Sequence, residues 1–153
     1  MEAWVTGWNN LASHLGHMAL AYVLALPIAW DREYRSQGAG LRTFPLVAVG
    51  SCAFVLIGMA VLSNSESHAR ILYGLMTGLG FIGGGAILKS EAGVKGSATA
   101  ASIWITGAMG AAVAWQRYEI AIFLSLVDFL TLRLGARLKR AFGRNHNRDN
   151  PPR

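Results

Sequence analysis

A single cysteine, Cys52, stands among the 153 residues, so neither an intrachain disulfide nor a cysteine-based metal site can form. Charge is scarce as well: Asp, Glu, Lys and Arg make up 14% of the chain, against ~25% in soluble domains. No basic segment precedes the first apolar run, and that run is too long for the core of a signal peptide. What fills the chain is apolar. Hydrophobic residues reach 53% before the 18 glycines are added, already above the ~45–50% that soluble domains hold with glycine included. A water-soluble domain of this size has too small an interior to hide that much apolar surface. A soluble enzyme, a disordered chain and a disulfide scaffold are excluded, and a membrane protein is expected.

A helix that crosses ~30 Å of hydrocarbon needs ~20 apolar residues. Four charge-free stretches meet this, at 11–30, 43–63, 71–88 and 98–115. A fifth, 120–138, is long enough but holds Asp128, Arg133 and Arg137. Loop charge argues that it spans. With five crossings, 12 of the Lys and Arg residues fall on one side and only Arg70 and Arg117 on the other. Cytoplasmic loops are the ones that collect Lys and Arg. The expected fold is therefore all-α, a bundle of five transmembrane helices with the N-terminus out and the C-terminus in. Arg133 and Arg137 are expected to snorkel out of the hydrocarbon. Net charge is +6, but half of the basic residues sit from Arg133 onward, next to a membrane exit, where they suit anionic lipid heads better than nucleic acid. Residues 1–138 are expected to form the membrane domain and 139–153 a basic, disordered cytoplasmic tail.

Glycine is concentrated in the third run. Gly78, Gly80 and Gly83 match a dinucleotide-binding spacing, but that motif needs a strand, a turn and a later acid, none of which fits an apolar run. Packing explains them better. Gly74, Gly78, Gly80 and Gly84 form two pairs four apart, and Ala98, Ser102, Thr106, Gly110 and Ala114 make a small-residue stripe on the fourth run. Small residues let helices approach closely in lipid, so the third and fourth spans are expected to pack tightly together. The triplet Gly83, Gly84 and Gly85 leaves a second reading open, a break or kink that exposes backbone at membrane depth.

Asp128 is the sharpest single residue. It lies about 12 Å along the fifth run at 1.5 Å per residue, where an ionised Asp costs roughly 2.5–3.5 kcal/mol to insert. It is expected to face the bundle and find a polar partner among Thr99, Ser102, Thr106, Arg32 and Arg42. The loop after the first span carries Asp31, Arg32, Glu33 and Arg42, and ion pairing across it is expected to draw two helix ends together. Pro27 frees a carbonyl in the first span. His14 and His17 are three apart but lack acidic company, so no metal site is expected there.

With these residues in view, the chain resembles the MgtC/SapB family of bacterial inner-membrane proteins, as a short member with the transmembrane domain alone. The resemblance rests on Asp31-Arg32-Glu33, on Gly40-Leu41-Arg42-Thr43 with Leu46, Val47 and Gly50, on Gly78, Gly80, Phe81, Ile82, Gly83, Gly84, Gly85, Ile87 and Leu88, and on Val94-Lys95-Gly96 followed by Thr99, Ser102 and Trp104. Three positions in the last block depart from the family: Lys95 stands for an arginine, Ser97 for a leucine and Ala98 for a threonine. The resemblance implies a multi-pass inner-membrane protein linked to survival in low magnesium and to virulence. It also implies functional roles for Asp31, Arg32, Glu33, Arg42, Thr43, Gly78, Gly80, Gly83, Gly84, Gly85, Lys95, Thr99, Ser102 and Trp104. Asp128 joins them on physical grounds alone.

Two functions compete. One is a non-enzymatic regulator that acts by helix contact, with ATP synthase or a transport ATPase as candidate partner and ATP supply or membrane potential as the quantity controlled. The other is a small cation or proton transporter that uses Asp128 and a glycine-broken helix. No cofactor and no catalytic residues are expected, since Ser102 and Thr106 have no histidine at their level. A resident magnesium ion wants octahedral oxygen ligands, which a core so poor in carboxylates cannot supply. Besides the lipid bilayer, a second copy of the chain is a candidate partner, and nucleic acid is not.

Overall fold

The computed structural model describes residues 2–35, 39–90 and 93–149. Residues 36–38 of the expected loop and 150–153 of the expected tail lie outside them. Each apolar run becomes a helix: α1 (Glu2–Arg35), α2 (Phe44–Val61), α3 (Ser65–Gly85), α4 (Ser97–Ala114) and α5 (Tyr118–Asp149). Two short antiparallel strands, β1 (Leu88–Ser90) and β2 (Gly93–Lys95), join α3 to α4 with Leu88 opposite Lys95. Gly96 follows at φ +88°, and a Cβ there would collide with the carbonyl of Ala86, so only glycine allows the ribbon to enter α4.

Both end helices run further than expected. α1 continues through Asp31, Arg32 and Glu33, which the charge density had marked as loop, because no Gly or Pro interrupts them. α5 continues to Asp149, past position 139 where a disordered tail was expected, through a run of good helix formers that begins Ala136-Arg137-Leu138-Lys139-Arg140. α3 is continuous through Gly83 and Gly84 and ends at Gly85, so the glycine triplet terminates a helix and makes no break at membrane depth. At its other end Asn64 caps α3, accepting a hydrogen bond from the Ser67 amide at 2.7 Å. α1 also passes unbroken through Pro27. Ser125 of α5 donates to the carbonyl of Leu24 at 2.8 Å, next to the carbonyl the proline leaves unpaired.

Among the described residues, three segments are long and apolar enough to cross a membrane: Asn10–Tyr34, Phe44–Val61 and Ser97–Ala114. α3 is diluted by its glycines and by Glu66, His68 and Arg70, and α5 by Glu119, Asp128 and Arg133. The sides of the bundle are apolar and uncovered. Phe81 is 86% exposed, and Tyr73, Leu46, Phe54, Phe123 and Leu130 also point outward. Side chains of this kind at such density belong in lipid rather than water.

α4 is the central helix and packs against the other four. Its most extensive partner is α2, a contact that the glycine pattern of α3 did not indicate. The reason is Gly110, where a Cβ would collide with the backbone carbonyl of Ala48, so the two backbones meet there. α3 does touch α4, with Leu79 over Gly107 and Gly83 against Ala100, 3.3 Å from where a Cβ would stand. Its other glycines, however, face no α4 atoms. One core cluster is built on small residues, Ala21, Ala25, Ala48, Cys52, Ala111 and Ala121 among them. The second, nearer the ribbon, is bulkier, with Ile28, Phe44, Leu79, Ile103 and Leu132.

α1 and α5 run parallel and in constant register. His17 meets Tyr118, Leu24 meets Ser125 and Asp31 meets Arg133. Replacing Gly110 with alanine should cost about 1–3 kcal/mol, because the obstacle is backbone and cannot swing aside. Thermal unfolding in detergent checks this against Gly16→Ala, a helical position with open space around it. Equal midpoints for the two variants would show that α2 and α4 do not meet as described.

Candidate functional site

The last turns of α1, the first half of α4 and the middle of α5 enclose the polar core of the bundle. Asp31 is 3% exposed and Asp128 7%, and Arg32, Thr99, Ser102, Thr106 and Ser125 are buried with them. Helical spacing accounts for the grouping. Thr99, Ser102 and Thr106 fall at i, i+3 and i+7 on one face of α4, and Ser125, Asp128 and Leu132 repeat that spacing on α5.

Charge inside such a core is stable only if it is paired. Asp31 Oδ2 accepts from Arg32 Nη2 at 3.1 Å, and Arg133 Nε of α5 reaches Asp31 Oδ1 at 3.4 Å. The Arg133 guanidinium also lies over the Phe129 ring, 5.0 Å from its centroid, while its side chain stays 45% exposed. Ser102 Oγ donates to Asp128 Oδ1 at 2.8 Å. Two carboxylates against two guanidiniums leave the cluster balanced when all are ionised.

Asp128 Oδ2 and the hydroxyl of Thr106, the latter 0% exposed, have no hydrogen-bond partner among the described residues. Thr106 stands one turn beyond Ser102, about 13 Å into α4 at 1.5 Å per residue. Hydroxyls thus line one face of α4 from its start to its middle, beside a carboxylate with one oxygen to spare.

The remaining expected residues lie elsewhere. Glu33 Oε2 accepts from the Leu41 amide at 2.9 Å, and a Cβ at Gly40 would collide with Glu33, so glycine is required for the loop to fold back on α1. Arg42, expected to pair across this loop, has no hydrogen bond or ion pair with a described residue. The acids near it are taken by Leu41, Arg32 and Arg133 instead. Arg42, Thr43 and Gly78 line a groove of about 820 Å³ between α2 and α3. Gly83 packs on α4, whereas Gly80, Gly84 and Gly85 have open space around them. Lys95 is exposed on the ribbon, and Trp104 lines a separate groove of about 350 Å³ on the α3–α4 side. His17 Nδ1 donates to the Ser13 carbonyl at 2.7 Å and its Nε2 stands 3.0 Å from the Tyr118 hydroxyl, and among the described residues no group of three His, Cys, Asp or Glu could hold a metal.

Arg133 and Ser125 were missed in the sequence. The signal for Ser125 was its place one turn before Asp128, and for Arg133 the matching distance of Asp31 from the end of the first apolar run.

Apolar helices with bare apolar sides and charges gathered inside define a helical membrane protein. The chain belongs to the MgtC family, whose pattern matches residues 18–141. It is similar to the putative magnesium transporter YhiD of Escherichia coli, 36% identical over 130 residues that cover 80% of this chain and 60% of that protein. Protein MgtC of Brucella abortus is 39% identical over 103 residues, which cover 67% of this chain and 43% of its own. Protein SrpB of Synechococcus elongatus is 33% identical over 146 residues, covering 87% and 79%. The chain therefore spans 60% of the length of YhiD and 43% of that of MgtC. No solved structure matches it.

Losing Arg133 would leave Asp31 with fewer partners, so Arg133→Gln should destabilise the protein by about 1 kcal/mol, a modest cost because the guanidinium is half exposed. Arg137→Gln, four residues on, is the control. A matched loss of thermal stability in both variants would show that the contact with Asp31 contributes nothing.

Proposed function

We propose that the protein is a multi-pass inner-membrane regulator of adaptation to magnesium limitation, acting by helix contact on a larger membrane protein. ATP synthase or a transport ATPase is the candidate partner, with control of ATP supply or membrane potential as the outcome and virulence as one setting. The observation that carries this reading is the outward face of α3. There Tyr73, Thr77, Gly80, Phe81 and Gly84 are exposed, and the two glycines leave room for another backbone to come close. The names of the relatives support the magnesium link: one is a putative magnesium transporter and another is MgtC.

Five crossings with the N-terminus outside fit this role. The parallel register of α1 and α5 supports an odd number of traverses, since helices joined by short turns alternate in direction. Aromatic residues support the depth. His17 and Tyr118 stack at one level, and Trp30 and Tyr34 meet at another, about 20–25 Å away along α1. That separation is close to the thickness of the hydrocarbon layer, whose borders favour such side chains.

A transporter is the second reading, favoured by the unpartnered Asp128 Oδ2 and Thr106 hydroxyl inside the bundle. It rests on Asp128 alone, because α3 supplies no broken helix. Affinity capture from membranes and flux assays in liposomes separate the two. The regulator reading expects a stable complex with an ATPase that is lost on Gly84→Leu, and liposomes without flux. Proton- or cation-dependent flux that disappears in Asp128→Asn would overturn it in favour of transport.

A further inference from the structure

α2 and α3 are neighbours in sequence, yet they do not close against each other along their length. They touch where Ile71 covers Gly58. From there towards the start of α2 they enclose a groove of about 820 Å³, within the ~300–1,000 Å³ that ligand sites occupy. One wall is the α2 face of Thr43, Val47, Gly50 and Phe54, and the other the α3 face of Gly74, Gly78 and Ile82. Gly50, Gly74 and Gly78 have nothing within 4 Å of where a Cβ would stand. No clash forces glycine at these positions. Their effect is to keep a channel of one chain's width open on an apolar surface.

The groove is apolar along its length and cationic at one end. Arg42 lies there without an ion pair or hydrogen bond to any described residue, and Thr43 beside it spends no side-chain hydrogen bond on capping α2. A guanidinium and a hydroxyl that make no hydrogen bond to a described residue, at the mouth of an apolar slot, complement one kind of molecule, an anion with a long hydrocarbon tail. In a membrane that is an anionic phospholipid. A packing helix from a second copy would fill the slot but would leave Arg42 without an anion.

We infer that the α2–α3 groove holds one acyl chain of an anionic phospholipid whose phosphate binds Arg42 and Thr43. The site is distinct from the outward face of α3 assigned to a protein partner. Gly74 and Gly78 lie on one side of that helix, and Tyr73, Thr77, Gly80 and Gly84 on the next.

The test uses the full chain in nanodiscs of equal parts phosphatidylglycerol and phosphatidylcholine with identical acyl chains, read by native mass spectrometry of the lipid that stays bound. One phosphatidylglycerol per chain should remain, in preference to phosphatidylcholine. Arg42→Gln should reduce that preference about fivefold, what one basic residue contributes at an anionic lipid surface, and Arg42→Lys should retain most of it. Gly78→Leu fills the groove from α3 and Gly50→Leu from α2. Each should abolish retention of both lipids with thermal stability unchanged, because neither side chain meets an obstacle. The basic residues of the second half of α5 are intact in all four variants, so general attraction to anionic lipid is held constant. Equal retention of the two lipids, or retention that survives both glycine substitutions, would overturn the inference. So would a disulfide-linked dimer formed in membranes by Gly78→Cys in a Cys52→Ala background, since a second copy would then occupy the groove.

Discussion

A carboxyl group is costly to leave without a partner inside an apolar bundle, and this chain buries two, on Asp31 and Asp128. The way each finds its partner governs how the helices lie. Asp31 is held by its neighbour Arg32 and by Arg133 from α5, and Asp128 of α5 is held by Ser102 from α4. These contacts tie α1, α4 and α5 together at one level of the bundle. They also keep α1 and α5 parallel, a register that Ser125 and Tyr118 extend along the rest of their shared length. In lipid, where apolar contact gives helices little reason to prefer one neighbour over another, such polar contacts have more say in the arrangement.

α2 and α3 take no part in the charged cluster, and small residues govern them instead. Glycine does three different things there and in α4. At Gly110 it lets two backbones touch; at Gly50, Gly74 and Gly78 it leaves the space between two helices unfilled; at Gly80 and Gly84 it leaves an outer surface bare. A motif of glycines four apart does not say which of these it will be. The answer depends on what the facing helix offers: the Ala48 carbonyl in the first case, another glycine in the second, and no part of the chain in the third.

The five helices were legible because each apolar run is long enough to need a helix, and membership in the MgtC family was legible in the blocks around Arg42, Gly83 and Lys95. Other features were hidden for definite reasons. Asp31 and Arg32 look like solvated loop residues, since a dense charge run gives no hint that half of it turns inward. Arg133 looked like a residue that would escape to the interface. In fact its guanidinium is long enough to stay half exposed and still reach Asp31. The prominence of the α2–α4 contact was unreadable, because Ala48 and Gly110 are ordinary small residues until the helices meet. The strand pair between α3 and α4 is only three residues long on each side, too short for any alternation to register.

The central claim is that a buried carboxylate on α5 is bound to α4 through Ser102. A double-mutant cycle on thermal or denaturant unfolding in detergent tests it directly, with Ser102→Ala, Asp128→Ala and the pair. The account predicts a favourable coupling of about 1 kcal/mol between the two residues, because each single change removes the same hydrogen bond. Strict additivity of the two changes would contradict it.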